Sequence, residues 1–303
     1  RDEPDIRETL YEEIGGRYRL ADESQSGLRM FNRLDETLVD ASLDWSVFFT
    51  NWRGLPSMAK FGPQYSARQR DFASRRFRFQ PINTRGVDLT LPPERLFTPQ
   101  SIGPNFELRE ETRATDFYDG EMTLGSFYGM VDLPLAARWR LVGGVRVENF
   151  TQRVDTFDLF DADVDGEVER ITAEIDNTDV FPGLNLVWAV APEQNLRFGV
   201  SQTVNRPEFR ELAPFEFTDI VGGRAVAGNP DLKHALIQNY DVRWEWFPRP
   251  GEVFSVSGFY KKITNPIERK LVDLQGDILI YENRDQATVY GIELEARKKL
   301  DVL

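Results

Sequence analysis

The densest set of oxygen ligands in the sequence is Asp161-Ala162-Asp163-Val164-Asp165-Gly166-Glu167. It spaces carboxylates at alternate positions ahead of a glycine, as the first half of a calcium loop does. Asp161, Asp163, Asp165 and Glu169 are the candidate ligands. The twelfth position is Thr172, where a bidentate Glu belongs, and no helix is expected on either side, so a solvated acidic loop is the competing reading. His234 is the single histidine, with no second His or Cys and no carboxylate at ligand spacing, and it reads as a hydrogen-bonding residue at the end of a loop. No nucleophile is spaced with a base. Gly222-Gly223 lacks the strand and helix of a phosphate loop. No catalytic residue, and no cofactor apart from this calcium reading, is expected.

Chemistry being sparse, the information lies in the elements. From Gln238 to Trp246 the residues Gln238, Tyr240, Val242, Trp244 and Trp246 alternate with Asn239, Asp241, Arg243 and Glu245. That is a strand with one aromatic, apolar face and one ionic face. Pro248-Arg249-Pro250-Gly251 stops it, because proline donates no hydrogen bond and glycine tolerates positive φ. Phe254, Val256, Gly258 and Tyr260 then alternate with Ser255, Ser257 and Lys261 on the return.

The same unit recurs along the chain. Val39 to Phe49 precedes a turn at Asn51 to Pro56 and a return from Lys60 to Phe79, whose second half carries charge on both faces and must stand in water. Asp116 to Val131 pairs with Trp139 to Phe150, Leu184 to Val190 with Leu196 to Asn205, and a last strand runs from Val289 to Leu300. About nine strands are expected. Residues 1–36, 81–115, 155–179, 206–235 and 265–286 separate them as long loops. Tight turns and long loops alternate strictly, so one end of the sheet carries turns and the other loops. Transmembrane barrels segregate their connections in this way as a rule and Greek-key sandwiches rarely do.

Composition is compatible with this. Hydrophobic residues are 41% of the 303, without a continuous apolar run near the ~18 residues of a membrane helix, which excludes helical spans but not strand spans. The net charge of −13 argues against a nucleic-acid partner. Absence of cysteine removes disulfides, thiolate nucleophiles and zinc-cysteine sites. The chain opens Arg1-Asp2-Glu3-Pro4, with neither initiator Met nor apolar signal region, and it stops at Leu303 after a strand. It therefore reads as a segment of a longer polypeptide.

The expected fold is all-β: a long antiparallel meander forming part of a large transmembrane β-barrel, with short periplasmic turns and long extracellular loops. Arg197, Asp241, Arg243, Glu245, Glu293, Glu295 and Arg297 form a recurrent ionic row, which a wide aqueous lumen accommodates. Trp139, Trp188, Trp244, Trp246, Tyr260 and Tyr290 fall on the apolar face, several near strand ends, where a membrane girdle sits. The competing assignment of these aromatics is the core of a sandwich.

Particular runs carry a family likeness. Ser201-Gln202-Thr203-Val204-Asn205-Arg206-Pro207-Glu208-Phe209-Arg210-Glu211-Leu212-Ala213-Pro214-Phe215 resembles the strand-and-loop signature of TonB-dependent outer-membrane receptors. Gly228-Asn229-Pro230-Asp231-Leu232, Asn239-Tyr240-Asp241, Gly258-Phe259-Tyr260-Lys261-Lys262, Asn265-Pro266-Ile267-Glu268 and Tyr290-Gly291-Ile292-Glu293-Leu294-Glu295 continue it in order. Arg70-Asp71-Phe72 and Arg75-Arg76-Phe77-Arg78-Phe79 add to it upstream. The resemblance implies a 22-stranded barrel closed by an N-terminal plug. Such a barrel imports a scarce siderophore, cobalamin or oligosaccharide with energy from the inner-membrane TonB complex. The implied partners are outer-membrane lipid, the receptor's own plug and the TonB complex through parts outside this chain, and a small-molecule or oligosaccharide ligand. The resemblance also puts Arg206, Glu208, Phe209, Arg210 and Glu211 at the barrel mouth. There they either line the ligand path or pin a loop through ion pairs and one buried Phe. The rival functions are a non-transporting surface barrel, such as an adhesin or assembly module, and a soluble β-rich binding domain.

Overall fold

The computed structural model describes residues 2–23, 26–113, 116–162, 168–213, 216–218, 225–272 and 278–300, with backbone only at 2–4, 158–162, 168–169, 216–218 and 225. β1 (Asp2–Glu8) leads into a small hairpin of β2 (Tyr11–Ile14) and β3 (Arg17–Leu20). β4 (Leu28–Ser42) and β5 (Trp45–Thr50) run to the first tight turn, and β6 (Pro56–Pro81) returns. α1 (Pro93–Leu96) and β7 (Phe106–Glu110) lie in the connection to β8 (Phe117–Ala136) and β9 (Trp139–Ala162), followed by β10 (Val168–Ala191) and β11 (Gln194–Asn205). After α2 (Phe209–Leu212), β12 (Glu216–Thr218) and β13 (Ala225–Ala227) come β14 (Ala235–Trp246) and β15 (Val253–Thr264). β16 (Ile267–Leu271), β17 (Leu279–Asn283) and β18 (Gln286–Arg297) complete the chain.

One 12-stranded sheet dominates, in the order β1-β4-β6-β8-β9-β10-β11-β14-β15-β18, with β5 and β7 both on β6. Its ladders are antiparallel, and it does not close on itself, leaving β1 and β18 as edges. A smaller sheet, β12-β13-β17-β16, gathers connections at the loop end.

The strands exceed the expected bounds, and all five expected loops are partly strand, three of them extensively. Within 1–36 lie β1, the β2–β3 hairpin and the start of β4. Within 155–179, β9 continues to Ala162 and β10 begins at Val168. Residues 265–286 include the β16–β17 pair. The apolar rows in these extensions are short and set among charges, as where Ile171, Ala173 and Ile175 alternate with Thr172, Glu174 and Asp176. The hairpin turns at Gly15-Gly16, with φ of 61° and 78°. The segment 81–115 is largely irregular around α1 and β7, and 206–235 carries α2, β12 and β13.

The strand expected over Val39 to Phe49 breaks at Leu43-Asp44. There the Leu43 N–H still bonds Pro63 O, at 3.1 Å. The backbone comes so close that a Cβ on Gly62 would sit 1.8 Å from Leu43 O, so glycine is required.

Register gives the wall two chemically distinct faces, because directly paired residues share a side. One row runs Val131, Gly143, Leu184, Val200, Tyr240, Tyr260, Tyr290, and a second runs Trp139, Trp188, Leu196, Trp244, Val256, Leu294. The largest buried cluster lies on the other face, toward the loop end. It joins Tyr118, Phe150, Val154, Ala173 and Ile175 of the wall to Phe209, Leu212, Val226, Leu232 and Tyr281 of the connections.

Candidate functional site

Arg206 follows the end of β11, and the ionic face of the wall receives it. Its guanidinium lies 2.8 Å from Glu148 and 3.4 Å from Asp179, and 4.2 Å from the centroid of Phe150. Glu148 also pairs with Arg146, and Asp179 lies 3.4 Å from His234 Nε2. These groups are nearly buried, so each ion relies on its neighbours for the solvation it has lost. One residue further on, Pro207 O accepts from Gln152 Nε2 at 2.9 Å.

α2 then folds back against the wall. The Glu208 N–H donates to Glu211 Oε2 at 2.9 Å, closing the first turn, and the Glu208 carboxylate accepts from Arg68 at 2.8 Å. Phe209 is 1% exposed. Arg68 and Arg70 lie over its ring at 4.6 and 5.4 Å, and a Cβ on Gly120 would come within 2.8 Å of it. Glycine at 120 is thus the socket for this ring. Arg70 also bonds Tyr118, whose hydroxyl is pushed up by burial and stays protonated.

The chain leaving α2 is stitched down as a strap. The Asn229 N–H donates to Glu211 O at 2.6 Å, Asn229 Nδ2 to Tyr281 O at 2.9 Å, and Lys233 and Asn283 exchange two hydrogen bonds. Gly228 passes so close to Ala213 that a Cβ would lie 1.9 Å from its carbonyl oxygen.

Of the five residues expected near a ligand path, Arg206, Glu208 and Phe209 hold the strap to the wall. Glu211 closes α2, and Arg210 stands in the last turn of α2. Their partners Arg68, Arg70, Glu148, Gln152 and Asp179 were not singled out from sequence. Alternation puts each on the ionic face, but no local signal says what it meets across the barrel wall.

The ionic row is brought together in part. Arg197 pairs with Glu245 at 2.6 Å, Arg243 bridges Glu245 at 2.9 Å and Glu295 at 2.7 Å, and Arg297 meets Glu295 at 3.3 Å. Asp241 sits opposite Gly199 and Glu293 opposite Ser257 on the same face. On the other face Trp139 stacks on Trp188 at 5.0 Å, Trp246 lies 5.7 Å from Phe254, and Tyr240 lies 6.2 Å from Tyr260. Trp244 Nε1 donates to Gln194 at 3.2 Å, and Tyr290 pairs with Tyr260. Asp163 and Asp165 lie outside the described residues, as do Gly222 and Gly223, and only the backbone of Asp161 and Glu169 is described. Among the described residues no group of three His, Cys, Asp or Glu is placed to hold a metal ion.

A family model described as TonB dependent receptor-like, beta-barrel, matches residues 5–302. Solved structures share the fold. The alcaligin outer-membrane receptor FauA of Bordetella pertussis matches at 14% identity with a TM-score of 0.53, over 94% of this chain and 39% of that one. The copper transporter OprC matches at 13% and 0.54, over 90% and 36%. The ferric yersiniabactin uptake receptor FyuA of Yersinia pestis matches at 13% and 0.52, over 91% and 34%. The chain thus spans well under half the length of these relatives. A search of curated proteins found no match.

Proposed function

The chain belongs to the TonB-dependent receptor β-barrel family of the Gram-negative outer membrane, and from that premise we propose that it forms part of the wall and mouth of an active importer. Members of this family are transporters rather than enzymes. In the proposed mechanism the loop end captures a scarce ligand, and the receptor's plug, drawn by the TonB complex, opens a path past the ionic face. The aromatic face of Trp139, Trp188, Trp244, Trp246, Tyr260 and Tyr290 meets lipid, and the row from Arg197 to Arg297 faces the lumen and the plug. The ligand is a siderophore-like metal chelate, in keeping with the names of the alcaligin and yersiniabactin receptors, or else a cobalamin or an oligosaccharide. The strap lines the mouth while it is pinned there. The acidic segment from Asp161 to Glu169 binds no ion in this reading, and a calcium titration of the intact receptor checks it.

The observation that carries the proposal is the match of the family model across residues 5–302. The test compares cells with and without the intact gene for accumulation of iron-55 siderophores, cobalt-57 cobalamin and carbon-14 oligosaccharides, each repeated in a strain lacking TonB. Accumulation of one probe that needs both the gene and TonB is expected. Surface binding without accumulation of any probe would overturn import and leave a non-transporting surface barrel.

A further inference from the structure

On the side of the wall away from the strap, β1 and β4 meet the connection bearing α1 around a pocket of about 470 Å³. Arg7 and Arg29 are direct cross-strand partners, and Arg29 lies on the face of β4 that carries Asp35 and, further along, Val39. That is the outward face, beyond the apolar band. Its apolar lining includes Leu10, Phe79 and Phe97, and the Phe79 ring stacks on Phe97 with centroids 4.4 Å apart and planes 10° from parallel. The polar lining is of mixed sign: Arg7 and Arg29 offer donors and Glu94 a carboxylate acceptor.

One residue organises the rim. Asp5 has φ of 69°, a left-handed conformation uncommon for a residue with a Cβ, beside the irregularity that shifts the β1–β4 register between Glu3 and Ile6. From there its carboxylate accepts from Arg7 Nε at 2.7 Å and Arg29 Nε at 2.6 Å. Those guanidiniums hold the Asp5 carboxyl well below the usual range, so the arrangement keeps its charge at any physiological pH.

We propose that this pocket binds a saccharide unit. A sugar ring presents an apolar C–H face and a rim of hydroxyls, each both donor and acceptor. An apolar floor under guanidinium and carboxylate groups matches both parts at once. A strong anion would meet Glu94, a cation would meet Arg7 and Arg29, and an aliphatic guest would bury the Glu94 carboxylate and the guanidinium donors not held by Asp5 without new partners. Because the pocket opens outward above the lipid band, the sugar at hand is the headgroup of an outer-leaflet glycolipid, although a free saccharide has the same chemistry. The inference rests on the outer-membrane orientation and not on which ligand is imported.

The test uses the intact receptor in detergent and saturation-transfer NMR with two probes: lipopolysaccharide core oligosaccharide freed of lipid, and maltotriose. Arg29→Gln and Glu94→Gln should each weaken binding by about tenfold or more, the loss expected for a hydrogen bond to a charged group. Uptake and resistance to unfolding in SDS should stay at wild-type level. Binding of the core oligosaccharide alone supports the glycolipid headgroup, and binding of maltotriose supports saccharides at large. Binding of neither probe, or binding that both variants leave intact, overturns the proposal. Glu94 is exposed on α1, so its variant keeps the test open if Arg29→Gln disturbs the β1–β4 pairing. Loss of uptake with sugar binding retained would sink only the import reading.

Discussion

At Gly120 the missing side chain matters more than most that are present, because the Phe209 ring occupies the space where a Cβ would be. Gly120→Ala should expel the ring, and Phe209→Ala should empty the socket at a cost of roughly 3–5 kcal/mol, the usual range for a buried phenylalanine. In both variants, proteolysis between α2 and Asn229 should accelerate while the strands below stay protected. A wild-type cleavage rate in both would refute the socket. Asp35, Asp71, Asp119 and Asp155 stand directly opposite one another across four neighbouring strands beyond the apolar band. Like charges in that register repel. Arg33 and Arg153 relieve the two ends, each at 2.8 and 2.9 Å from its carboxylate. Partial burial, and then the neighbouring Asp71, raise the Asp119 carboxyl above its ordinary value. The folded state therefore holds a proton that the unfolded chain has released, and stability falls as pH rises from the ordinary carboxyl range through the raised one. Asp119→Asn should flatten that slope, which melting temperatures measured across this range would detect.

The strap is an element held by one buried ion cluster and one aromatic socket. Arg206 neutralises Glu148 and Asp179 together, and both carboxylates are close to buried. Arg206→Ala leaves Glu148 only Arg146 and Asp179 only His234, at a cost of up to about 3–5 kcal/mol. Hydrogen exchange should then rise in residues 207–213 and 226–234. Converting Glu148 to Gln and Asp179 to Asn in the same protein should restore part of the loss, since the two nearly buried carboxylates that Arg206 neutralised are then uncharged. If the triple variant exchanges as fast as Arg206→Ala, the cluster is not what holds the strap. His234 shares Asp179 with Arg206, which ties the far end of the strap to the same anchor.

At the scale of the molecule, the alternation of faces divides neighbouring residues between two solvents. Val242 stands in the apolar row and Arg243 in the ionic one, adjacent in sequence and opposite in environment. Val242→Arg should cost roughly 2–4 kcal/mol, as a cation does on the lipid face near the bilayer centre. Arg243→Ala loses a pair with Glu295, which is partly exposed, and one with Glu245, which is buried but keeps Arg197, and should cost less than Val242→Arg. Denaturation of the intact receptor in lipid vesicles, where the order of these two costs is the readout, would reject a lipid-facing apolar row if Val242→Arg proved neutral.

Sequence alone determined the meander and its two faces, because a period of two in Gln238 to Trp246 or Leu196 to Asn205 is a local property that pairing merely reads out. It also determined the alternation of tight turns and long connections, since Pro248 to Gly251 and Ala191 to Gln194 break the chain wherever they are placed. It did not determine the ends of β9 and β10 or the strands inside residues 1–36, where the buried rows, such as Ala173 and Ile175 or Leu20 and Leu28, are short and broken by charges. Tertiary structure alone decided what Arg206 and Phe209 do. Their sockets are built by Arg68, Gly120, Glu148 and Asp179, which are distant in sequence and come together only when the strands register. A residue's side of a strand is set by its neighbours in the chain, whereas its partner across the wall is set by the register of every strand between them.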